Sequence, residues 1–502
     1  MRTSTSTRQH RWALLVITIF FAGCATVKES SRGAINFESF SPEETTCSTW
    51  FKQVDTVVGG DGARDFGPRR FKSFPYLRAD RFLASFSGDM RADSPHFATW
   101  ITQLGALGQK EYRLEIGNLS SKALKELSLD KDQAYELTRI CTDFMVSQIL
   151  SSPERIAPEL ITSIVVPDDY SQVKRIAGLY SFLQFPFSGG IDKWHEEATA
   201  LFHSQSNGEY GEGSRVAYKQ EFRGGHSQKF IKTLLKSRDS LGMFSGNSES
   251  LTALFQFYAP VFLIEETGQY DQIGEMTRDA SDTLQLDVNK PTVYTQLSYT
   301  RFYGKTLLQL NYLAWMPERP KSGAADLLAG KFDGVLWRVT LDEDGVPLIY
   351  DAIHPCGCYH MFFPTARLEM IAPPDRYVEW AFSPREAMSV DIDSTITVTA
   401  ETRTHYLANV SETSMGDEDM IKTYQLAPYD ELRSMSSVIG ARSIFDQYGL
   451  VPGTERGERF LFWPMGIRSA GAMRQWGTHA TAFLGRRHFD DAFLIQERFK
   501  RR

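Results

Sequence analysis

The sequence predicts an α+β fold, with a helical N-terminal half and a mostly antiparallel, β-rich C-terminal half. Three observations predict it. Before about residue 259, apolar residues recur at helical spacing. After it, β-branched and aromatic runs bounded by turns take over. And 502 residues with 42% hydrophobic and 13% aromatic content suffice for a large core.

The elements follow in order. Ser41-Pro42-Glu43-Glu44 starts a helix, with Ser as cap, Pro at the first position and Glu three residues after the cap. Cys47, Trp50, Phe51, Val54, Val57 and Val58 then share a face, which turns Cys47 toward a core, and Gly59-Gly60 ends the run. Pro75 to Phe86 is aromatic and basic without clear periodicity. Asp130 to Leu150 is a second helix, with Ala134, Leu137, Cys141, Phe144 and Met145 on one side and Pro153 beyond its end. Asp168 to Leu183 and Ile191 to His203 read as further helices. Ser204 to Gly246 is rich in Gly, Ser and charge, and reads as containing a long surface loop.

Strands are expected at Thr292–Ser298, Thr306–Trp315, Val335–Leu341, Val346–Ile353, Ser394–Ala400, Thr404–Val410 and Ile421–Leu426. Thr306–Trp315 is apolar on both alternating faces, so it belongs in the middle of a sheet. Asp342-Glu343-Asp344-Gly345 marks a hairpin, because Gly345 takes positive φ at little steric cost.

The N-terminus carries an address. Arg2, Arg8 and Arg11 precede a short apolar run, Trp12 to Phe21, and Ala22-Gly23-Cys24 follows. A basic start, a brief apolar stretch and small residues describe a secretory signal. The cysteine makes it resemble a bacterial lipoprotein signal, cut before Cys24 and lipidated, palmitate included, on that residue. Phe21 stands where leucine is commonest. The run is too short to span a bilayer, which needs about 20 apolar residues. Ala25, not Asp, follows the cysteine, which resembles lipoproteins exported to the outer membrane. Residues 1–23 are thus read as signal peptide, 24–34 as tether, 35–258 as mainly helical and 259–502 as β-rich. The expected location is the cell envelope, at its outer membrane facing the periplasm, held through the N-terminal lipid.

The formal charge is −7, and it grows more negative once the leader's arginines leave. That balance argues against a nucleic-acid partner. With Cys24 acylated, four of five cysteines remain: Cys47, Cys141, Cys356 and Cys358. An oxidising envelope permits disulfides among them, in three possible pairings.

One cluster stands out for chemistry. His354-Pro355-Cys356-Gly357-Cys358-Tyr359-His360 puts four ligand-type side chains at alternate positions. Thiolate and imidazole suit zinc or copper. In an extended strand His354 and His360 would lie roughly 20 Å apart, so a turn at Pro355 and Gly357 must fold the ends together. The readings are a metal site at His354, Cys356, Cys358 and His360, a Cys356–Cys358 disulfide, pairing of either with Cys47 or Cys141, or free thiols. His479 and His488, distant in sequence, are candidates to approach the heptad and orient its ligands by hydrogen bonds. The spacing fits neither a zinc finger nor a c-type haem site. His195-Glu196-Glu197 is not a zinc-protease motif, because Thr199 stands where the second histidine is needed. No Gly-x-Ser-x-Gly, P-loop or dinucleotide fingerprint occurs.

Ser298-Tyr299-Thr300-Arg301-Phe302, Leu310-Asn311-Tyr312, Trp337-Arg338-Val339, the heptad, and Gly485-Arg486-Arg487-His488-Phe489-Asp490-Asp491 together resemble an uncharacterised family of Gram-negative bacterial lipoproteins. The resemblance implies the envelope location and brings no activity. The expected function is therefore a lipid-anchored envelope lipoprotein with a ligand- or partner-binding role. The alternative is a metal- or thiol-dependent envelope enzyme using the heptad.

Overall fold

The computed structural model describes residues 42–209, 211, 213–221, 226–374, 377–413, 418–438 and 440–502. Cys24, the leader and the tether lie outside them. Apart from the first turn of its first helix, everything below belongs to the unit Thr46–Arg502.

The helical half is built on α1 (Pro42–Gly60), α2 (Phe97–Gly117), α3 (Lys131–Ser151) and α4 (Tyr180–Ser206). Asp130 caps α3: its side chain accepts from the Gln133 amide while Gln133 reaches back to the Asp130 amide. α2 packs against α3. Glycine makes that packing close, since a Cβ on Gly105 would sit 2.8 Å from a Val146 methyl. Cys47 on α1 is bonded to Cys141 on α3. Closing a loop with 94 residues of separation stabilises the fold by about 4–5 kcal/mol through the lost entropy of the unfolded chain. Cys356 and Cys358 are free thiols, so neither a bond between them nor a bond from either to Cys47 or Cys141 forms.

Ten strands form one mixed sheet. They are β1 (Ser214–Gln220), β2 (Val261–Glu266), β3 (Thr292–Phe302), β4 (Lys305–Arg319), β5 (Gly330–Leu341), β6 (Pro347–Ile353), β7 (Met361–Pro364), β8 (Ile396–Ala400), β9 (Leu407–Glu412) and β10 (Met420–Pro428). Their order is β7-β6-β5-β4-β3-β10-β1-β2-β8-β9. The run from β3 to β7 is an antiparallel meander. β10 pairs parallel with both β3 and β1, and β2 pairs parallel with β8. As expected, β4 is central and buried on both faces for most of its length. The Asp342–Gly345 turn is a hairpin, with Gly345 at φ +84° and its amide donating to the Asp342 carbonyl at 3.0 Å.

One expectation is refined and one corrected. Ser204–Gly246 is not loop throughout: it also holds β1, next to the middle of the sheet, and a short helix, Gln228–Leu234. β1 is short and polar at both ends, and its buried Val216, Ala217 and Tyr218 are flanked by surface-type residues. Its neighbours in the sheet, not its own pattern, make it a strand. Asp168–Leu183 is not one helix either. Leu179 takes φ +52° and separates a short helix, Gln172–Ala177, from α4. Because β1 comes from the helical region and pairs with β2 and β10 from the β-rich one, the two regions share a core.

Candidate functional site at the 354–360 hairpin

The heptad is the turn between β6 and β7. The His354 amide donates to the Cys358 carbonyl at 3.0 Å, and the Gly357 amide to the His354 carbonyl at 2.8 Å. Gly357 takes φ +89°, and a Cβ there would lie 2.9 Å from the Ala480 carbonyl, so glycine is needed for both conformation and room. Gly334 on β5 serves the turn from below: a side chain there would meet the Ala314 carbonyl at 2.3 Å and the Pro355 ring at 3.2 Å. The Arg474 amide (3.1 Å) and His479 Nε2 (3.2 Å) both reach the Pro355 carbonyl and pin the turn.

The turn does bring the heptad's ends together, and it sends its histidines to separate polar clusters. His360 Nε2 contacts Asp351 at 2.9 Å, and Asp351 also accepts from Arg338 Nε at 2.8 Å. Asp351 and Arg338 are cross-strand partners on β6 and β5. Arg338 lies over the Phe489 ring, 3.7 Å from its centre. Burial lowers the His360 pKa to about 3 against the bond to Asp351, so this histidine is neutral.

His354 belongs to a cluster around Asp333. Its Nδ1 lies 3.0 Å from Asp333 Oδ1, and His405 Nδ1 lies 3.1 Å from Asp333 Oδ2. Arg456 Nη2 is 3.5 Å from the same carboxylate. His405 Nε2 faces Asp271 at 3.3 Å, and Asp271 is held further by Thr402 Oγ1 and the Arg403 amide. Burial by itself would raise the Asp333 carboxyl. Arg456, His354 and His405 outweigh it and hold that group well below the carboxylate range. Burial likewise opposes charge on His405, but the two aspartates raise its pKa; on His354 burial prevails and lowers it. The cluster thus favours the protonated form of His405 and the neutral form of His354, whose Nδ1 then donates to the Asp333 carboxylate.

That assignment leaves His354 Nε2 with a buried lone pair and no hydrogen-bond partner among the described residues. The ring packs edge-on to Tyr359 and near Tyr406, with centroids at 5.0 and 5.9 Å. The two tyrosine hydroxyls share a hydrogen bond of 2.9 Å, and Arg319 Nη2 donates to Tyr406 at 3.1 Å. Arg319 Nη1, on the same guanidinium, is also buried without a hydrogen-bond partner among the described residues. An acceptor and a donor therefore flank Tyr406 unmatched. Burying either without a partner costs about 1–3 kcal/mol, so the arrangement suits a polar group arriving from outside.

Cys356 is buried in an apolar cluster, and Cys358 packs partly exposed beside it. A hydrogen bond from Cys358 lowers the Cys356 thiol below its usual range; the same bond, together with burial, raises Cys358 well above it. Among the described residues no three His, Cys, Asp or Glu side chains are placed to hold one metal ion. His354, Cys356, Cys358 and His360 accordingly do not share a ligand position for zinc or copper.

His479 lies against the heptad, its Nε2 on the Pro355 carbonyl. His488 does not: its Nε2 sits between Asp168 (3.3 Å) and Asp169 (3.5 Å). Sequence reasoning missed Asp333, His405, Arg319 and Arg456. Asp333 had a usable signal, being with Arg338 one of two charges inside the otherwise largely apolar strand Phe332–Leu341.

Buried neutral histidines make the site acid-sensitive. His479 and His360 have folded pKa values of about 3 against an ordinary value of 6.5. Between those limits the unfolded chain binds more protons than the folded one, so stability falls as pH drops from about 6.5 toward 3. Urea midpoints measured across that window should decline, and His479→Gln should flatten the slope. An unchanged slope in that variant would contradict the assignment.

No family model matches the chain, and no curated protein or solved structure is detectably similar to it.

Proposed function

We propose that the chain is a lipid-anchored lipoprotein of the bacterial cell envelope that binds a small polar ligand at the 354–360 hairpin. The binding role is carried by the two unmatched buried atoms, His354 Nε2 and Arg319 Nη1, beside Tyr359 and Tyr406. A ligand offering a hydroxyl or N–H to the imidazole and an oxygen to the guanidinium would satisfy both. The anchor is carried by the Arg2–Cys24 leader. The Cys47–Cys141 bond supports it, because such bonds persist in oxidising compartments.

The alternative enzyme reading keeps only its thiol form, favoured by the Cys356–Cys358 hydrogen bond and the nearby Arg456 charge. Two measurements test the proposal. Mass spectrometry of the native N-terminus should find acylated Cys24; a bare polypeptide removes the anchor. A thermal-shift screen of sugars, amino acids and organic acids should find a stabilising compound whose effect is lost in His354→Phe and Arg319→Met. Equal shifts in both variants would place binding elsewhere.

A further inference from the structure

The sixteen residues Ile176 to Ile191 carry no charged side chain, and neither do Phe460 to Ile467. In a water-facing surface both runs are anomalous. They lie side by side: Gly178 packs so closely on Pro464 that a Cβ would meet it at 2.5 Å, and the Phe187 and Phe462 rings pack tilted, their centres 5.4 Å apart. Phe187 and Phe462 form the inner layer, packed on Met465 and Ile467. The outer layer faces solvent. Phe182 is 71% exposed and Phe460 73%, with Ile176, Leu179, Leu461 and Trp463 exposed around them. Soluble monomers rarely leave so many large apolar side chains together in water.

We infer that this face, formed by the Gln172–Ala177 helix, the start of α4 and residues 459–463, seats in the interfacial layer of the bilayer that holds the Cys24 lipid. The choice of occupant rests on the anchored reading. An acyl chain on Cys24 keeps a membrane within at most about 60 Å of Pro42, the reach of the intervening chain. Three features of the face favour lipid. Its outer side chains are Phe, Trp, Leu and Ile, the types that enter an interface from a helix lying in its plane. Its rim is basic. Arg459 lies 4.8 Å from the centre of the Phe460 ring, and Lys174 lies beside Arg468, placing cations at headgroup depth for anionic lipid. The uncharged stretches are too short to cross a bilayer, and no described helix is long and apolar enough to do so. The body would therefore lie on the membrane surface and not hang freely from its tether.

Co-sedimentation of the Cys24→Ser chain with vesicles of phosphatidylethanolamine and phosphatidylglycerol tests this without the acyl anchor. Binding is expected. Phe182→Ser/Phe460→Ser should weaken it by about tenfold or more, since each side chain is a full apolar payload lost from the interface. Ile140→Ser, at an exposed apolar position on α3, should leave it unchanged. These sites are on the surface, so the variants should keep the native circular dichroism. No vesicle binding by the unlipidated chain, or equal binding by the double variant, overturns the inference. So does a lipid-independent dimer that the double variant abolishes, which would assign the face to a second copy. A native N-terminus without acyl groups would remove the anchor but not these vesicle results, so the two failures are distinguishable.

Discussion

Asp333→Ala is expected to destabilise the protein by about 3–5 kcal/mol, the loss typical when one member of a buried charge cluster is removed. Asp333 has no exposed surface and holds His354, His405 and Arg456 at once. Without it, Arg456 loses its carboxylate, His405 keeps only Asp271, and His354 loses the group that fixes its tautomer. Urea unfolding at neutral pH measures the loss. Asp333→Asn separates charge from shape. The His405 pKa is raised in the fold, so its stabilising contribution is complete below the unfolded value near 6.5 and fades as pH rises through the folded value. In Asp333→Asn the stability should fall less steeply above about pH 6.5, and an NMR titration should find the His405 pKa lowered. An unaltered His405 titration would mean that Asp271 alone sets its charge.

The second large effect is expected at Arg433, which ties the helical half to the sheet. It ends the short helix Asp430–Arg433 that comes after β10 and is buried, yet it reaches Asp65 beyond the end of α1 at 2.9 Å, Asp430 at 2.9 Å and Glu111 on α2. Arg433→Met keeps much of the volume and strands two buried carboxylates, at a cost of about 3–5 kcal/mol. The deficit should depend on pH. Burial raises the Glu111 pKa to about 7 even with Arg433 beside it. A carboxyl with a raised folded pKa favours the native state at low pH and disfavours it as pH climbs through that value. The Arg433→Met penalty should therefore shrink toward about pH 5, where Glu111 is protonated. Adding Glu111→Gln should recover part of the loss at neutral pH. No recovery would show that the arginine acts through packing alone.

How much was legible depends on whether a segment's environment is local. The Asp130 cap, the Asp342–Gly345 hairpin and the buried strand around Leu307–Trp315 could be read directly, because caps, turns and doubly buried strands write their signals into neighbouring residues. α2 could not. Its inward face carries Glu111 and Glu115, which pair with arginines from elsewhere. It also carries Gly108, where a Cβ would come within 2.1 Å of the Tyr76 carbonyl. Charges and glycines on the buried side erase the apolar stripe. The heptad was visible as an odd density of histidine and cysteine. Its partners were not, because Asp333, His405 and Arg456 come from three separated segments whose convergence only the sheet order creates. The same convergence divides the heptad, giving His354 to Asp333 and His360 to Asp351.

The position of Ser214–Gln220 constrains how the molecule is made. Its parallel partner begins about two hundred residues later, as the 204-residue separation of the Arg215–Asp419 bond records. Contact order this high slows folding, because a long loop must close before its pairing is rewarded. A chain threaded across a membrane from its N-terminus would have delivered most of its length before that strand met its neighbour. Until then the edges of the unfinished sheet would stand open, the kind of surface on which chaperones act.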